Sequence, residues 1–149
     1  MNWNKEFSND KILQAELVAF YNKYGISGIK QAIALYTTMH QEYICSTKTT
    51  TSKISIGEIY YLEIREHNIS VYTQHGTYHK YGTLCKELEF LAPYGFLKCN
   101  QSCVVSLQKI KTIAHDEITL TNGSKLHMSR HYTRKLLLEF SKVDSLPLS

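Results

Sequence analysis

The four cysteines and seven histidines of this 149-residue chain are the side chains best suited to covalent or metal chemistry, and their spacing argues against both. Cys45, Cys85, Cys99 and Cys103 form no CxxC pair and no zinc-finger spacing. Reduced thiols are the expectation, with no metal site and no disulfide. The acids are few and scattered among basic residues, a poor source of a catalytic carboxylate pair. The chain has no GxxxxGK[ST], GxGxxG, HExxH or GxSxG run. The sequence therefore predicts no enzyme, no catalytic residue and no cofactor.

The cations are distributed unevenly. Residues 1–46 hold four lysines and four acids, whereas residues 47–143 hold thirteen lysines and arginines against eight acids. That leaves no net charge in the first stretch and +5 in the second. An excess of this kind suits a surface that meets phosphates, although an ordinary basic surface would show it too. Arg130 is placed at an expected helix start, where the positive end of the helix dipole disfavours a cation. An anion or a base edge would account for it.

The elements that must position these groups follow from periodicity. Asn9 or Asp10 can cap a first helix, with Leu13, Leu17, Phe20, Tyr21 and Tyr24 on one face. Gly25 breaks it, and Ser27 starts a second helix carrying Ile29, Ala32, Ile33 and Tyr36. The Thr-rich run 47–52 has no period and reads as a linker. Beyond it the period falls to two. Extended segments are expected around 54–64, 69–73, 78–81, 96–98, 103–106, 109–114, 117–120 and 125–128. Between 59 and 64 either face could be the buried one. His75-Gly76 and Asn122-Gly123 supply hairpin turns. Thr83 caps a short helix with Leu84, Leu88 and Leu91, and Ser129 caps a last one with Tyr132, Leu136, Leu137 and Phe140. The expected architecture is mainly β, with antiparallel sheets, short connecting helices and a helical hairpin in front. The expected segments are a helical module 1–46, a linker 47–52, a β domain 53–143 and a frayed tail 144–149. No run of 18 apolar residues and no signal-peptide pattern occurs, so a cytoplasmic chain with no membrane span is expected.

Read in order, the β segment resembles the LytTR (LytR/AgrA-type) DNA-binding domain family of bacterial transcription regulators. The resemblance opens with Ile56-Gly-Glu-Ile-Tyr-Tyr-Leu-Glu63 and continues through Glu66-His67 and the Gly76 hairpin. Gly82-Thr-Leu84 with Leu88-Glu89 and Phe96-Leu-Lys-Cys-Asn-Gln-Ser102 follow at family spacing. It closes with Leu120, Asn122-Gly123 and Leu126-His-Met-Ser-Arg130-His-Tyr132. The resemblance implies a domain that reads DNA from loops entering two successive major grooves, with contacts to the phosphates between. It implies base contacts by His67, Gln101 and Arg130. Arg can bridge guanine and Gln adenine in a bidentate manner, and His can donate to a base or phosphate. Lys80, Lys98, Asn100, Ser102, Ser129, His131 and Arg134 are the implied phosphate contacts, which position without reading sequence. The family's usual His-Arg-Ser reads Asn100-Gln101-Ser102 here, so the sequence read at this loop should differ.

Residues 20–35 superficially resemble a helix-turn-helix. Tyr21 stands where a small residue belongs and Gln31 where an apolar one does, so that reading is set aside. The helical module is expected to dimerise the chain, to dock a partner or ligand, or to cap the β domain. These residues leave no room for a phosphoacceptor receiver. Two functions are open: a regulator binding double-stranded DNA at direct repeats as a homodimer, or an interaction protein that pairs with a related regulator and binds DNA weakly.

Overall fold

The computed structural model describes residues 3–143, and the tail expected at 144–149 lies outside the described residues. Two compact units divide between Thr37 and Thr38. The first is helical. A short helix α1 (Trp3–Asn9) precedes α2 (Lys11–Met39). Asp10 separates them by accepting the Leu13 N–H on its carboxylate at 2.8 Å, an N-cap bond. The sequence places this cap correctly and misses α1. Gly25 interrupts α2 with φ 72° and ψ −172°, a conformation that only glycine adopts readily. It splits α2 into two arms at the expected break.

The second unit begins with a β-hairpin, β1 (Glu42–Ser46) and β2 (Thr51–Ser55). Its strands pair from Glu42↔Ser55 to Ser46↔Thr51. The run expected as a linker is therefore the turn and flanks of this hairpin. The Thr47 hydroxyl accepts from Thr50 N–H at 3.2 Å, and Thr47 N–H donates to the Thr50 carbonyl at 2.8 Å. Tyr43, Cys45 and Ile54 point from one hairpin face into the core.

Next come β3 (Ile59–Arg65), β4 (Asn68–Thr73), β5 (Gly76–Tyr81), α3 (Leu84–Leu91), β6 (Phe96–Asn100) and β7 (Cys103–Ser106). The strands form one antiparallel sheet in the order β5-β4-β3-β7-β6. A bulge at Tyr60 explains the ambiguous face of β3. Ile59 and Leu62, three residues apart, both enter the same core because the extra residue resets the alternation. Then β8 (Ile110–Ala114), β9 (Glu117–Leu120) and β10 (Lys125–His127) form a three-stranded sheet, and α4 (Arg130–Val143) closes the unit.

The five-stranded sheet is buried on both faces at β6 and β7, and the alternation in β7 shows it. Val104 joins one core with Leu62, Val71, Phe96, Tyr43 and Leu91. Its neighbours Cys103 and Val105 join the other, with Ile110, Ile118, Leu120 and Leu136. The β1–β2 hairpin and α3 cover the first face, while the small sheet and α4 cover the second. The observed architecture is the expected one, antiparallel sheets with short helices behind a helical segment.

Candidate nucleic-acid interface

Hydrogen bonding gathers three loops at one end of the five-stranded sheet. Arg65 pairs with Asn68, so Glu66 and His67 form the two-residue turn from β3 to β4. Glu66 takes a φ of 57°, uncommon for a residue with a Cβ. From β5, Gly82 N–H donates to the His67 carbonyl at 3.0 Å. β7 starts with Cys103 opposite Glu63, and Ile64 N–H donates to the Ser102 carbonyl at 2.9 Å. The Gln101-Ser102 turn is thus held beside the last residues of β3, next to the His67 turn.

Two further bonds bring in the third loop. Asn100 Nδ2 donates to the His127 carbonyl at 2.8 Å, and Ser129 N–H donates to the Cys99 carbonyl at 2.9 Å. The junction from β10 to α4, which ends in Arg130, therefore lies against the end of β6. Ser129 starts α4 through its carbonyl, which accepts from Tyr132 N–H at 3.0 Å and Thr133 Oγ1 at 3.1 Å.

The three expected base-reading side chains, His67, Gln101 and Arg130, are all exposed. Among the described residues none of the three has an internal hydrogen-bond or ion-pair partner. Gln101, Ser102 and Ser129 share a shallow groove with Glu63, Lys125 and His127. Lys98 and His131 line a second depression with Lys135, floored by Leu88, Leu97 and Tyr132. Arg134 is exposed on α4.

Three expected phosphate contacts, Asn100, Ser102 and Lys80, are engaged internally. Besides its bond to His127, Asn100 accepts from Ser102 N–H at 2.9 Å and Ser102 Oγ at 3.1 Å through Oδ1. It holds the Gln101 turn in shape and ties it to the Arg130 loop. Lys80 pairs with Glu87 at 2.5 Å, donates to the Ile44 carbonyl at 3.1 Å and lies 4.6 Å from the Tyr43 ring centroid. Its side chain is only 19 % exposed, fastening the β1–β2 hairpin to β5 and α3. Burial, then the hydrogen bond to Glu87, keeps the Tyr43 phenol protonated far above the ordinary tyrosine range.

Two of the four cysteines, Cys99 and Cys103, lie beneath this surface. Cys99 Sγ donates to the Cys103 carbonyl at 3.7 Å, and both residues are buried. Its hydrogen bond with Cys99, then burial, pushes the Cys103 thiol up and keeps it neutral. Among the described residues no cluster of three or more His, Cys, Asp or Glu could hold a metal ion.

Two further cations near the loops escape the sequence reading. Arg65, 89 % exposed at the side chain, stands at the end of β3 two residues before His67. Lys135 lies four residues after His131 in α4, hence on the same helix face. That i,i+4 spacing is a signal the sequence contains.

A β unit whose loops carry unpaired polar and cationic side chains at one sheet end presents a surface suited to nucleic acid. The LytTr DNA-binding domain family matches residues 49–140, more than half of the chain, and the chain belongs to that family. The solved LytTr DNA-binding domain of a protein described as a methyl-accepting/DNA response regulator from Bacillus cereus superposes with a TM-score of 0.53. It is 27% identical, covering 64% of this chain and 95% of that one. No curated protein matches the chain in sequence. The family's fold is that of a DNA-binding domain and not of an enzyme. No helix among the described residues is long and apolar enough to cross a membrane.

Proposed function

We propose that this protein is a sequence-specific, cytoplasmic transcription regulator that reads two successive major grooves of duplex DNA with three loops. The observation that carries this is the convergence of the His67, Gln101 and Arg130 loops, with their side chains unpaired, on one sheet end. Arg130 reads guanine, Gln101 reads adenine, and His67 donates to a base acceptor. Lys98, Ser129, His131 and Arg134 meet the intervening phosphates, joined by Arg65 and Lys135. The chain binds direct repeats as a homodimer. The segment ahead of the β unit is helical and not a phosphoacceptor α/β unit, so any signal entering through these residues is not phosphorylation of such a unit.

Selection of bound duplexes from a random DNA pool tests the reading. It should return a repeated motif, and Arg130→Ala should lose that preference while keeping weak, salt-sensitive binding. Unchanged affinity of Arg130→Ala for the selected duplex would refute its role. A second reading is an interaction protein that pairs with a related regulator. The internal engagement of Asn100 favours it, since only Gln101 of the altered triplet then has a free side chain to face DNA. Failure to enrich any duplex, with a complex to a related regulator on size exclusion, would select this alternative.

A further inference from the structure

We infer that Glu66 is a fourth base-reading residue, one that selects cytosine where its turn enters the groove; the inference rests on the regulator reading and deepens it. Glu66 and His67 are the whole of the turn from β3 to β4, closed by the Arg65↔Asn68 pair. Gly82 N–H donates to the His67 carbonyl at 3.0 Å, and Ile64 N–H donates to the Ser102 carbonyl at 2.9 Å. The turn is thus fixed to the sheet on both sides. A groove that receives His67 receives Glu66 with it.

Nothing within the fold accounts for a glutamate at this position. Its side chain is exposed, and among the described residues it has no hydrogen-bond or ion-pair partner. Its neighbour Arg65 pairs with Glu63 instead, at 4.0 Å. The backbone does not call for it either. A φ of 57° is a conformation that glycine, asparagine and aspartate adopt more readily. The turn from β8 to β9, closed by Ala114↔Glu117, has His115 in the same place with a φ of 52°. The fold therefore needs a two-residue turn here and does not need an acid.

The acid also has an electrostatic cost. Across residues 66–67, 101–102 and 127–130, which make up the three loops, Glu66 is the one acid. Arg65 and Arg130 stand on or beside the same loops. A carboxylate brought to a duplex is repelled by the phosphates that such cations attract. A hydrogen bond from a base offsets that repulsion. In the major groove the base donors are the amino groups of cytosine and adenine. Adenine sets its N7 acceptor beside the amino group, guanine presents two acceptors, and thymine presents one. A carboxylate, which only accepts, is repelled by each of these acceptors. Cytosine offers the donor without an adjacent acceptor, so cytosine is the base that Glu66 selects, as much by rejecting the others as by binding it.

Selection from a random duplex pool by the full chain and by its Glu66→Ala and Glu66→Gln variants tests the inference. Glu66 has no internal partner, so both variants should keep the wild-type circular dichroism and Tm. The wild-type motif should contain a cytosine whose replacement weakens wild-type binding about 5- to 150-fold. Glu66→Ala should lose the preference at that step alone. Glu66→Gln should turn it to adenine, because an amide can both donate to N7 and accept from the amino group. A Glu66→Ala variant that binds every duplex more tightly, with its base preference unchanged at every step, overturns the inference. So does a step relaxed by Glu66→Ala at which the wild type prefers a base other than cytosine. Either result leaves the regulator reading standing, whereas a wild type that enriches no duplex sinks both.

Discussion

Replacing Asn100 with alanine separates two roles that its position allows. As a phosphate contact, Asn100 would contribute affinity and little stability. As the tie seen here, it bonds to the His127 carbonyl, Ser102 N–H and Ser102 Oγ, with a weaker bond to Cys99 Sγ. A net hydrogen bond contributes about 1 kcal/mol, and a deprived partner costs more when water cannot replace it. Water reaches this half-exposed site, so the loss should be about 2 kcal/mol. For a unit of this size that lowers Tm by roughly 10 °C. The Gln101 turn would also loosen from the Arg130 loop. Selectivity should then fall at the base pairs read by Gln101, more than at those read by His67. Calorimetry and a competition gel shift against single-base variants of the selected duplex give both quantities. An unchanged Tm, with affinity lowered equally on every duplex, would refute the tie and restore the phosphate role.

The remaining expectations are simpler. Lys80→Met should destabilise the β unit by about 2 kcal/mol, because it leaves Glu87 largely buried with Tyr43 as its remaining partner. Its DNA affinity, measured on the folded fraction, should not change. Lys98→Ala and Lys135→Ala should each reduce the slope of log K against log salt by about one, with no change in base preference. Burial pushes the Cys45 thiol up to about 11 from an ordinary 9.0, against the opposing charge of Lys80. The folded state therefore holds the proton more tightly, so this stabilisation is complete below pH 9 and disappears as pH rises through 11. Denaturant midpoints across that range should drop by the equivalent of about 2 kcal/mol, and Cys45→Ala should flatten the drop.

The fold was largely legible because its hairpins announce themselves locally. The turns at Gly76 and Gly123 and the cap at Thr83 all lie where residue type places them, and Thr83 accepts from Lys86 N–H at 3.4 Å. The β1–β2 hairpin was harder. Tyr43, Cys45, Ile54 and Ile56 alternate on either side of residues 47–50, but that turn lacks an Asn-Gly signal and is rich in threonine. The Tyr60 bulge is invisible locally because it is defined by the partner strand. The same holds at the interface. Which residues sit on the three loops follows from chain order, so His67, Gln101 and Arg130 could be placed on them. What Asn100 and Lys80 bind could not, because His127, Ile44 and Glu87 lie 27, 36 and 7 residues away and meet them only after the sheets assemble.

The division of labour in the β6–β7 turn has a consequence for how such a regulator changes targets. Asn100 and Ser102 supply the scaffold of the turn, and the Gln101 side chain contributes nothing to it. Position 101 is therefore an interchangeable cassette. On the reading proposed above, a lineage can exchange it for Arg, Asn, Ser or Glu and acquire a new operator at that step without losing stability, while His67 and Arg130 hold the protein in register on the old one.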